Sequence, residues 1–172
     1  MDICTLPVEK WREYRELRLR ALREDQEAFS SAYADSLNQP EEHWKKRLFD
    51  AAEGERTWLL FARQDGQLIG MIGAYIETDS LDTATVVSVY VPREARGKGV
   101  SGCLMAEMLR VLSNRPGLRR ARLGVNATQL AAIQLYRRFG FSETGMEPAT
   151  TGAGQAVQQM VMERELPVDD PS

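Results

Sequence analysis

Two cysteines in 172 residues, and no long apolar run, remove several classes of protein at once. Cys4 and Cys103 make neither a disulfide framework nor a zinc-ligand spacing, so no metal is expected. No hydrophobic stretch approaches the ~20 residues needed to cross a bilayer. The start, MDICTLPVEKWREYRELR, lacks the basic-then-apolar layout of a secretion signal. Repeats and low-complexity linkers are absent as well. The expectation is a soluble cytoplasmic protein with reduced thiols and no membrane partner. Length suits one domain over residues 1–172, with PVDDPS (167–172) as a fraying tail.

What is present is an uneven charge. Between Arg93 and Arg138 stand ten Lys and Arg against Glu94 and Glu107, a net of +8, which leaves −11 for the rest of a chain whose total is −3. Such a segment is either a solvated basic face or a local anion site. Nucleic acid fits poorly, because no aromatic residues interleave with those cations and no nucleic-acid motif is present. A compact polyanionic ligand fits better.

Hydrophobic spacing supplies the elements. Trp11, Tyr14, Leu17, Ala21 and Leu22 recur at three- and four-residue steps, which predicts a helix over about 10–23. EDQEAFSSAYADSLNQP breaks that pattern, and Pro40 then opens a second helix, EEHWKKRLFDA, acidic in its first turn. The lone His43 lies in this helix, where packing explains it. TWLLFAR, the turn QDGQ and LIGMIGAYIET predict a hairpin, and TATVVSVYV a further strand. A helix follows from Val100 to Leu112, then the strand RRARLGV, a helix in NATQLAAIQLYRRFGF, and two closing strands. Asn126 or Thr128 is placed to cap that last helix, and Gly140 to end it in a left-handed turn. The order β-α-α-β-β-β-α-β-α-β-β predicts an α/β (α+β) fold with a mixed sheet, neither doubly wound nor a barrel.

The informative stretch is VYVPREARGKGVSG. Gly97 and Gly99 permit backbone angles closed to other residues, so successive amides can wrap an anion. The helix behind adds unpaired N–H groups and the positive end of its dipole. Arg96 and Lys98 add formal charge. A nucleoside-triphosphate loop would need Ser or Thr after Lys98, where Gly99 stands. The dinucleotide spacing is met by Gly97, Gly99 and Gly102, but RRARLGVN follows where an acidic residue should lie. A diphosphate of another ligand is the reading that remains.

The strand–ARGKGV–helix block, followed by N(x)5AIxLYxxxGF, resembles the GCN5-related N-acetyltransferase (GNAT) superfamily over roughly residues 85–142. The family's (Gln/Arg)-x-x-Gly-x-(Gly/Ala) motif is matched by Arg96 to Ser101, with Ser101 departing at the last position. The resemblance implies a twisted mixed sheet of six to seven strands flanked by four helices, and acetyl-CoA as co-substrate. It implies that Val89, Tyr90 and Val91 offer backbone to the pantetheine arm. Arg96, Gly97, Lys98, Gly99, Val100, Ser101 and Gly102 would hold the diphosphate, with Asn126 and Ala132 beside the arm. Tyr136 would bind there too and protonate the departing thiolate. Arg119, Arg120, Arg122, Arg137 and Arg138 are candidates for the ribose phosphate.

The implied activity is acetylation of a primary amine, on a small molecule or a peptide, by direct attack. Protein N-termini, O-acetylation or a non-catalytic acyl-CoA sensor are the alternatives, and a homodimer is compatible with the chain. Glu77 is the candidate proton acceptor, since the family's usual glutamate position falls near Thr85. The acceptor should lie between the N-terminal helices, the 143–157 segment and the splayed strands, and the acidic remainder of the chain favours a cationic amine. Cys103 is expected to be a buried small hydrophobe, and Trp11, Trp44 and Trp58 to be core.

Overall fold

The computed structural model describes residues 1–167, so the last five residues of the expected tail lie outside the described residues. The strands are β1 (Asp2–Cys4), β2 (Thr57–Gln64), β3 (Gln67–Ile76), β4 (Thr83–Tyr90), β5 (Arg120–Asn126), β6 (Ser142–Thr150) and β7 (Ala156–Glu165). The helices are α1 (Trp11–Glu24), α2 (Tyr33–Leu37), α3 (Glu41–Glu53), α4 (Val100–Ser113) and α5 (Leu130–Arg138). Five helices therefore stand where four were expected. The extra one, α2, has five residues and no side-chain cap, too short to leave an apolar period.

One seven-stranded sheet runs β1-β2-β3-β4-β5-β7-β6, and every neighbouring pair is antiparallel except β4 and β5. The predicted hairpin closes through Asp65 and Gly66, both at positive φ, the pattern that matches strand twist. Alternation divides the strand side chains between two cores. Leu60, Ile72 and Val86 meet Leu104, Met108 and Leu112 of α4, and the same cluster takes in Ile133 and Tyr136 of α5. Leu59, Phe61 and Met71 meet Tyr14, Leu17 and Leu22 of α1 and Trp44 and Leu48 of α3. Trp44 and Trp58 are core, as expected; Trp11 is partly buried.

Cys103 is a correction. It is exposed, because the buried stripe of α4 runs Val100, Leu104, Met105, Met108, Leu109 and turns residue 103 outward.

Two irregularities in β4 create the site. Ser88 has φ 58, and between the pairs Gly73↔Val87 and Met71↔Tyr90 strand β4 spends one more residue than β3. This bulge reverses the alternation: Val86 faces α4, yet Tyr90 falls into the α1–α3 core. Beyond Thr85↔Arg122, moreover, β4 and β5 no longer pair. The two strands part, and residues 86–90 and 123–126 face each other across a gap.

Candidate active site

The gap opens into a cavity of about 830 Å³, within the range of small-ligand clefts. Val89, Tyr90, Val91, Arg96, Gly97, Gly99, Val100, Ser101, Gly102, Asn126, Ala132 and Tyr136 all line it. Two of the residues assigned in the sequence to catalysis or to the diphosphate do not. Lys98 is exposed at the tip of the loop, outside the lining. Glu77 lines neither this cavity nor its neighbour; it accepts the Thr85 hydroxyl hydrogen bond, level with the part of β4 still paired to β5.

The side chains of Tyr90 and Val91 are core, so it is the strand edges that meet the cavity. Pairing with β3 uses the other side of β4 and pairing with β7 the far side of β5, which leaves the backbone groups lining the gap free to bind an amide-like ligand. At the head of α4 the loop holds Gly97 at φ 77 and Gly99 at φ 79, and a Cβ at either would touch nothing within 4 Å. The cradle is thus open, and only glycine adopts it without strain. Arg96 acts partly as a brace: its Nε donates to the Val91 carbonyl at 2.8 Å, while Nη2 lies 3.7 Å from Asp25. A compact anion such as a diphosphate fits this arrangement of open amides, helix terminus and guanidinium.

Tyr136 is fixed by the chain that follows it. Phe141 N donates to Tyr136 O at 3.1 Å and Gly140 N to Arg137 O at 3.0 Å, with Gly140 at φ 85: a Schellman ending of α5. The Phe141 ring packs edge-on against Tyr136, centres 6.2 Å apart. Burial pushes the Tyr136 phenol up to about 12, and the nearby Asp25 carboxylate adds to the rise. The group stays protonated at neutral pH. Asn126 caps no helix, contrary to expectation. Its Oδ1 accepts from Thr128 N and Oγ1 at 3.1 and 2.9 Å, holding the turn before α5, whose N-cap is Gln129. Of the five arginines considered for the ribose phosphate, Arg138 alone lines the cavity; Arg120 and Arg122 lie 3.7 and 3.8 Å from Glu163.

Three residues went unnoticed in the sequence. Asp25 lines the cavity from the end of α1, and burial raises its carboxyl pKa, with Arg96 and Arg93 pulling the other way. Ser88 lines both this cavity and a second one of about 110 Å³ bounded by Arg47, Asp50, Trp58 and Tyr75. Arg18 donates to Ser88 from below. The signal for Arg18 was available, since it stands four residues from both Tyr14 and Leu22, on the buried stripe of α1.

The acetyltransferase (GNAT) family profile matches residues 12–141. The chain belongs to this family. It is accordingly an acyltransferase. A curated relative, the ribosomal protein bS18-alanine N-acetyltransferase of Escherichia coli, is 28% identical over 118 residues, 66% of this chain and 77% of the relative. Among solved structures, a GNAT-family acetyltransferase from Streptococcus pneumoniae superposes with a TM-score of 0.81 at 20% identity, over 95% of this chain and 98% of its own. A phosphinothricin acetyltransferase from Sinorhizobium meliloti, solved with acetyl-CoA, gives 0.77 at 20% identity over 96% and 88%. The expected mixed sheet is thereby the family's fold. No helix among the described residues is long and apolar enough to cross a membrane.

Proposed function

We propose that this acyltransferase moves an acetyl group from acetyl-CoA to a primary amine by direct attack. The observation that carries the reading is the parting of β4 from β5 beside the open 96–102 loop, with Tyr136 in the same cavity. The free strand edges suit the amides of pantetheine, and the loop suits the diphosphate. The amine nitrogen bonds to the thioester carbon, the C–S bond breaks, and the protonated Tyr136 hydroxyl donates to the sulfur that leaves.

An ammonium group has no lone pair, so a base must act first. Glu77 does not line the cavity, and Asp25 is the carboxylate that borders it. Burial raises its carboxyl pKa, which makes it a better proton acceptor than an ordinary aspartate. The test is calorimetry with acetyl-CoA, followed by release of free CoA across amines, amino acids, polyamines and N-terminal peptides. Association with acetyl-CoA and thiol release with one acceptor class is the expected result. Association without release for any acceptor would make the protein a sensor, and no association would end the reading.

A further inference from the structure

Arg18 is a buried cation with no counter-ion among the described residues. Only 7% of it is exposed, and its guanidinium carbon lies 4.9 Å from the centre of the Phe29 ring. Among the described residues no carboxylate forms an ion pair with it. Burial lowers its pKa; Tyr14 opposes that, and Arg47, a like charge, adds to it. An unpaired buried guanidinium is costly, and arginine is the side chain best shaped for a carboxylate. Its one hydrogen bond is Nη1 to Ser88 Oγ at 2.9 Å. The other N–H groups find no acceptor among the described residues, yet Nε and Nη2 are not sealed from solvent.

The position of Ser88 gives this charge a direction. Ser88 stands at the bulge where the two cavities meet, and by accepting from Arg18 it keeps its own hydrogen free to donate. Arg47 lines the second cavity, and among the described residues no carboxylate pairs with it. Asp50, the carboxylate in that cavity, is held by Lys46 at 2.7 Å. Arg18 and Arg47 thus bring positive charge to Ser88 and the second cavity that no carboxylate among the described residues pairs.

We propose that Ser88 and Arg47 receive a carboxylate of the acceptor, with Arg18, which lines neither cavity, supplying charge from behind through its hydrogen bond to Ser88, so that the amine acetylated is that of a free amino acid or a similar amino-carboxylate. This rests on the acetyl-transfer reading and names its acceptor class. It reverses the expectation of a purely cationic amine, and like charge disfavours a strongly basic peptide N-terminus. The ammonium loses one proton to the base before attack, the new C–N bond replaces the C–S bond, the departing thiolate takes the Tyr136 proton, the second proton of the attacking nitrogen restores the Tyr136 hydroxyl, and the carboxylate keeps its charge throughout.

The test compares amino acids with their decarboxylated amines and with basic N-terminal peptides, by CoA release and by calorimetry on the CoA-loaded protein. At least one amino acid should exceed its decarboxylated partner by 10-fold or more in kcat/KM or affinity. In Arg18→Met the preference should fall below 2-fold, with CoA affinity unchanged and Tm equal or higher. Ser88→Gly, which tolerates the positive φ, should reduce the preference independently should Arg18→Met fail to fold. Equal use of both members of each pair, activity on amines or basic peptides alone, no response to any amino acid, or a Tm loss of several degrees in Arg18→Met with the preference intact would overturn the proposal. Failure to bind acetyl-CoA would instead strike the underlying functional reading.

Discussion

The amide of Phe141 donates to the carbonyl of Tyr136 at 3.1 Å, and the two rings meet edge-on. A six-residue chain reversal, Tyr136 to Phe141, thus anchors the proposed acid at both its backbone and its ring. Removing only the hydroxyl should leave that anchor intact. Tyr136→Phe is expected to lower kcat by about 10- to 100-fold, with the Kd for acetyl-CoA changed less than 2-fold. Stopped-flow release of CoA and calorimetry together check this, and unchanged turnover would remove Tyr136 from the acid role. Because the phenol lies near 12, no fall in rate at pH 8–10 should trace to its ionisation.

The anchor itself can be tested at Gly140. Its φ of 85 lies where a side chain is strained, so Gly140→Ala should cost about 1–2 kcal/mol. For a domain of this size that is a Tm drop of about 2–8 °C. Activity should fall further than stability accounts for, since Tyr136 shifts with its cap, and differential scanning calorimetry beside kcat separates the two.

How much of this was legible in the sequence follows from which features leave a local signal. The phosphate loop and the YRRFGF ending are spelled in glycines and spacing, so position and conformation could both be read. The β4 bulge could not. Ser88 at φ 58 carries no glycine or asparagine to announce it, and the reversal of Tyr90 into the α1–α3 core follows only from pairing with β3. Asp25 ends α1 with no motif, and reaches the cavity through tertiary packing. Glu77 was chosen by nearness along the chain, but level with it β4 and β5 are still joined, short of the gap. Arg18 was legible in principle, as a charge on an apolar stripe.

Asp25 stands 3.7 Å from Arg96 and shares a cavity with the phosphate loop. A carboxylate there opposes an incoming diphosphate. Asp25→Asn is expected to tighten CoA about 2- to 5-fold, the scale of one screened charge pair, while lowering kcat at least 10-fold. The sign of the pH effect follows from its raised pKa: as pH falls through it, the charge is lost and wild-type affinity should gain on that of the variant. Glu77→Gln should keep near-normal kcat. Full activity in Asp25→Asn would return the base to an unassigned group.

The 96–102 loop is next to a second network, where Tyr90 OH donates to Glu24 Oε2 at 2.7 Å and Arg20 bridges Glu24 and Glu94. The hydrogen bonds from Tyr90 and then Arg20 hold the Glu24 carboxyl below its usual range. A depressed carboxyl contributes stability that is complete above its unfolded pKa, near 4.3, and that disappears as pH falls through the folded value. Tyr90→Phe deletes the donor and leaves the ring in its core. It should cost about 1 kcal/mol at pH 7, and the gap between variant and wild type should narrow as pH falls through the depressed folded value of Glu24. Urea melts at pH 7 and at successively lower pH test it, and a gap unchanged with pH would mean that the Tyr90 hydroxyl stabilises independently of the charge on Glu24.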